Sequence, residues 1–175
     1  PRTAGAWLAG GLLGLAGAIA QGVFRNPLAD PYLLGSASGA SLGVALSMAA
    51  LGASPFALAC LARLGVTGAA FAGAALAVLL TLVLAQGVHN TMRLLLAGVV
   101  VGVVLGAAAS LVLLMNPDIM QAMQAFMLGS TSFIGWGACA LMLAVLLATA
   151  IGAWCLGRVL DGLSLGEATA HSLGL

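Results

Sequence analysis

The chain contains no lysine. Its five basic residues are all arginine, and only four of its 175 residues are acidic. Without lysine there is no P-loop amine to hold nucleotide phosphates, and no amine for Schiff-base chemistry. Charged residues make up 5% of the chain and the net charge is +1, so no long-range field draws nucleic acid or acidic substrates. Soluble domains carry about 25% charge. With 63% hydrophobic residues and a mean hydropathy of +1.22, this chain cannot cover a soluble surface with polar groups. It reads as an integral membrane protein. Cys60, Cys139 and Cys155 match no zinc or disulfide spacing and read as small apolar helix residues, so no metal site is expected.

What is present is apolar and periodic. Five runs, roughly 3–24, 33–53, 64–85, 94–115 and 134–156, each approach the ~20 residues that span ~30 Å of hydrocarbon. None contains a charge. β-Barrel strands would be shorter and would alternate in polarity. The expected fold is therefore all-α, a polytopic transmembrane helical bundle with short surface helices.

The 25 glycines recur at helical spacing. Gly98, Gly102 and Gly106, continued by Ser110, form a stripe in the fourth run. Gly35, Gly39, Gly43 and Ser47 do so in the second, and Gly10, Gly14, Ala18 and Gly22 in the first. Small residues let helices approach closely, so van der Waals packing replaces the missing hydrophobic drive. Such a stripe packs helices together, or faces a subunit interface or a substrate path.

The connectors carry most of the polarity. Arg25 to Gly35 (RNPLADPYLLG) holds Pro27 and Pro31, which force a turn between two membrane runs. Lipid cannot satisfy bent backbone, so this hinge must sit at a bilayer face or line a cavity. Further connectors run over 52–63, with Pro55, over 86–93, and over 116–135. In the last, Asn116 is expected to cap, Pro117 to open a short helix over 117–128 and Gly129 to stop it. Met120, Met123 and Met127 would share one face of that helix, which lies at the membrane surface or dips into the bundle. In the tail, 161–175, Ser164 and Glu167 have capping-box spacing. A short helix follows, ended by Gly174, with Leu165, Ala168 and Leu173 on a face suited to a partner's groove.

Arg25, Arg93 and Arg158 fall on one side of the spans, and Arg2 and Arg63 on the other. The bias puts the hinge and tail in the cytoplasm and starts the first span outside. No signal peptide is visible. An external start of this kind leads us to expect a preceding helix. His89 and His171 lie in connectors, and Asp30, Asp118, Asp161 and Glu167 lie outside spans, so no intramembrane enzyme site is expected. An ion-coupled transporter or channel is the alternative. That class places ionisable groups inside spans, whereas Gln21 is the strongly polar residue found there.

Three segments in order, Arg25 to Ala40 (RNPLADPYLLGSASGA), Arg93 to Gly98 (RLLLAG) and Leu163 to Leu175 (LSLGEATAHSLGL), resemble the FecCD family. These are permease subunits of ABC importers for ferric siderophores, haem and cobalamin. The resemblance covers essentially the whole chain. It implies a longer protein of about ten spans, of which this chain corresponds to the second to sixth plus a coupling segment. It also implies a bacterial inner-membrane location and no enzymatic activity. ATP and magnesium would be bound by a separate cytoplasmic ATPase subunit, so no cofactor is expected in this chain. A second permease copy, forming a homodimer, and a periplasmic substrate-binding protein complete the implied partners, with membrane lipid and no nucleic acid.

The resemblance further implies roles for residues. Leu163, Ser164, Leu165, Gly166, Glu167, Ala168, His171, Ser172 and Gly174 match the region that docks on the ATPase. Asn26, Pro27 and Leu28, and Thr91 with Met92, match loops at the cytoplasmic mouth and look like gate elements. The span carrying Gly98, Gly102, Gly106 and Ser110 would line the pathway with its symmetry mate. Met120, Met123 and Met127 would lie near the outer mouth, where the binding protein docks.

Overall fold

The structure is a computed structural model that describes residues 1–51, 59–87, 90–132 and 134–157, with the main chain alone at 51 and 59–64. Among the described residues every regular element is helical: α1 (Arg2–Phe24), α2 (Ser36–Leu51), α3 (Ala59–Ala85), α4 (Thr91–Met115), α5 (Met120–Leu128) and α6 (Trp136–Cys155), with a 3-10 turn at Pro117–Ile119. In α1, α3, α4 and α6 there are stretches long and apolar enough to cross a membrane; α2 is a shorter apolar helix. The chain divides into two compact units, Pro1–Pro31 with the residues from Ser130 onward, and Tyr32–Gly129.

In the first unit α1 packs on α6. Gly11 on α1 faces the Leu146 side chain, and the buried Cys139 thiol donates to the Pro1 carbonyl at 3.4 Å. Arg25 ends α1 in the left-handed region, at φ 49°. Its N–H donates to the Gly22 carbonyl at 3.3 Å and that of Asn26 to Gln21 at 3.1 Å, the two bonds of a Schellman motif. In the second unit α3 ends the same way. Gln86 has φ 59° and donates to Val83, and Gly87 donates to Leu82.

The second unit packs α2 against both α3 and α4, with α3 also touching α4. One apolar cluster of its core joins the buried Val44, Ala45 and Met123, with Met48, Val66, Ala70, Val112 and Leu113 closing around them. Close approach centres on Gly39 of α2 and Gly73 of α3. A Cβ on either would collide with the other's carbonyl. The small-residue stripe of α2 thus packs on a neighbouring helix.

Several helix ends depart from expectation. α3 begins at Ala59, not near 64, and α4 at Thr91, not near 94, while 52–58 with Pro55 lies outside the described residues. The second run begins to helix at Ser36, not near 33, because Tyr32–Gly35 closes a turn in which the Gly35 N–H donates to the Tyr32 carbonyl at 2.9 Å. Asn116 was expected to cap the helix that follows it. Its side-chain amide instead donates backward, to the Val112 carbonyl at 2.9 Å, and closes the end of α4. The Val112 carbonyl also accepts the Asn116 backbone N–H at 3.1 Å, so main chain and side chain of one residue close the same helix end, where carbonyls lack an intrahelical partner.

Candidate functional site

The non-helical strap Tyr32–Gly35 is a bend held by two neighbouring helices of the second unit. Helix α2 opens immediately after it: the Gly35 carbonyl accepts the Gly39 N–H at 3.0 Å, while the carbonyls of Leu33 and Leu34 meet neighbouring helices. Two contacts hold it. The Leu33 carbonyl rests on Gly98 of α4, so closely that a Cβ there would overlap it. The Thr81 hydroxyl, on α3 and fully buried, donates to the Leu34 carbonyl at 3.0 Å. Protein therefore supplies what lipid cannot to a bent backbone. Three elements, the start of α2, the end of α3 and the start of α4, converge here.

Gly102 and Gly106 continue the stripe beside the Ser38 hydroxyl, and neither is in tight contact. Ser110 is exposed, and its hydroxyl bonds its own helix at the Gly106 carbonyl, 3.0 Å away. The α4 stripe thus splits into a tight end at Gly98 and a loose continuation.

The start of α4 is well tied. Asn90 accepts the Arg93 N–H on its side-chain oxygen at 3.1 Å, an N-cap that satisfies one free donor. The Arg93 guanidinium reaches back to the Gln86 side-chain oxygen at 3.5 Å. Thr91 is half-buried and Met92 exposed, in the first turn above the buried Leu94. Asn26, Pro27 and Leu28 belong to the other unit. There the Asn26 side-chain oxygen accepts the Leu28 N–H at 2.9 Å, and its carbonyl accepts from Ala29 at 3.0 Å. Asn at the first position and Pro at the second are what such a turn favours. The turn leaves Leu28 at 88% exposure while Ala29 is buried.

The three methionines of α5 do not share one environment. Met123 is 2% exposed and forms part of the core, whereas Met120 and Met127 are exposed. Leu163, Ser164, Leu165, Gly166, Glu167, Ala168, His171, Ser172 and Gly174 lie outside the described residues. Thr81 is the residue that sequence reasoning passed over. Its signal was a hydroxyl near the end of an otherwise apolar run.

Thr81→Val keeps the shape and deletes the donor. We expect a loss of about 1 kcal/mol in unfolding free energy in detergent micelles. Thr81→Ser should recover most of it. Equal stability of the valine variant and the parent would mean that the bond contributes nothing to the strap.

Long apolar helices, small-residue contacts and a bent backbone satisfied within protein define a polytopic α-helical membrane protein. The chain matches the FecCD transport family over residues 1–175 and belongs to it. It is 39% identical to the ferric enterobactin transport system permease protein FepD of Escherichia coli K12, over 99% of this chain and 51% of that protein. It is 36% identical to the vitamin B12 import system permease protein BtuC of Salmonella paratyphi A, over 100% of this chain and 52% of that protein. The chain thus spans about half the length of the curated relatives it matches. These relatives are membrane components of transport systems, not enzymes. A solved structure described as an inward-facing conformation of a metal-chelate type ABC transporter shares its fold, with a TM-score of 0.82 at 24% identity. That match covers all of this chain and 54% of the other.

Proposed function

We propose that the chain is part of the transmembrane permease of an ABC importer that moves an iron chelate, haem or cobalamin across the inner membrane. The carrying observation is the identity, along essentially the whole chain, to permease proteins for ferric enterobactin and vitamin B12. Both cargoes are bulky, and a Gly/Ala-rich wall passes a bulky solute without trapping it. Energy comes from ATP hydrolysis in a separate subunit, which engages the segment 161–175 and shifts a bistable bundle. A second permease copy and a periplasmic binding protein complete the assembly. In this reading Asn26 to Leu28 and Thr91 with Met92 gate the cytoplasmic mouth, and Met120 and Met127 are the methionines free to meet the binding protein.

Two bulky charged substitutions, Gly166→Glu with Ala168→Arg, test the coupling role in the assembled transporter. Substrate-stimulated ATP hydrolysis should fall at least several-fold, and the ATPase subunit should no longer co-purify, while membrane insertion is kept. Unchanged assembly and coupling would remove the docking role. Uptake that follows an ion gradient and survives ATP depletion would overturn the importer reading itself.

A further inference from the structure

Tryptophan is scarce in this chain, with three in all, yet two of them open and close α6. Trp136 is its first residue, and Trp154 is next to its last. At 100° and 1.5 Å per residue the two lie about five turns apart, on the same side of the helix and about 27 Å from each other along its axis. That distance is close to the ~30 Å thickness of bilayer hydrocarbon. Trp136 is 71% exposed and Trp154 88%, and between them on the same side Leu143, Leu147 and Ile151 are exposed as well. The side of α6 that meets α1 is a different one, marked by Cys139 and Leu146. α4 also exposes leucine and valine along its length, but it carries no tryptophan or tyrosine at either end. An indole joins an apolar body to one N–H donor, so it is best satisfied where hydrocarbon meets headgroups.

The geometry points to a lipid-facing seam on α6. Acyl chains lie along Leu143, Leu147 and Ile151, while Trp136 and Trp154 rest at the two headgroup levels and set the depth of the helix. This rests on the membrane-spanning class alone and holds whatever the cargo.

Depth-dependent fluorescence quenching tests it. The protein is reconstituted in phosphatidylcholine vesicles whose bromine atoms sit either near the headgroup or near the chain end. Versions retaining only Trp136 or only Trp154, with the other tryptophans changed to phenylalanine, should lose more emission to headgroup-proximal bromine. A reporter in the middle of the seam, Leu147→Trp or, if that variant does not insert, Leu143→Trp, should show the opposite order. Absence of quenching at both tryptophans from either lipid would mean that protein covers the seam, and would overturn the inference. Equal or greater quenching from chain-end bromine at Trp136 and Trp154 would overturn the assigned depth.

Discussion

Gly98→Val should reduce uptake at least tenfold and destabilise the chain by about 3 kcal/mol or more. At Gly98 two backbones meet: a Cβ would run into the Leu33 carbonyl oxygen and crowd the Cα of Leu34. Neither obstacle is the tip of a flexible side chain. Nor can the strap move aside cheaply, because its turn is closed by Gly35 on Tyr32 and its Leu34 carbonyl is held by Thr81. Either α4 retreats, or the turn opens and leaves carbonyls unpaired in an apolar setting. Gly98→Ala already carries the offending atom and should show most of the loss. Gly102, one turn on, is the control. The nearest atoms to its Cβ position, on Gly35 and Ser38, are 3.8 Å away, an ordinary contact. Gly102→Ala should be neutral, or stabilising by up to about 1 kcal/mol, since alanine is the better helix former. Substrate uptake in vesicles and unfolding in micelles read both. Equal behaviour of the two alanine variants would dismiss the strap contact as a constraint.

Gly73→Ala, the second large effect, should cost about 2–4 kcal/mol, because its Cβ meets the Gly39 carbonyl where α2 crosses α3. The crossing is reciprocal, as a Cβ on Gly39 meets the Gly73 carbonyl. Either substitution forces the same separation of the two helices. The pair Gly39→Ala/Gly73→Ala should therefore cost clearly less than the two single losses added together. Gly68 lies on the same helix with nothing within 4 Å of its Cβ position, so Gly68→Ala should leave stability unchanged or slightly raised. Additive losses at 39 and 73 would mean that the two glycines act at separate places.

Much of the architecture was legible along the chain. Uncharged runs of span length imply helices, because only a helix or a closed barrel satisfies its backbone in lipid. The turn at Asn26–Pro27 could be read from residue chemistry, and so could the stop at Gly129, which has φ 70°. Other features could not. Nothing local separates Gly98, pressed against a carbonyl, from Gly102, which is not. Both belong to one GxxxG stripe, and the difference lies in where the strap crosses it. Met120, Met123 and Met127 have equal hydropathy, yet only Met123 enters the core, beside Val44 and Ala45. Asn116 had two helix ends within reach, and its amide went to the end of α4.

Membrane residence, helical class and the positions of the main breaks follow from the sequence alone, because hydropathy, proline and glycine act within a few residues of themselves. The tertiary structure decided which glycines touch backbone, which methionine is core and how Thr81 holds a bend 47 residues away. Those outcomes depend on contacts between segments far apart in the chain. In lipid, where apolar surface is already solvated, such contacts are chosen by shape and by unpaired carbonyls, neither of which a hydropathy pattern records.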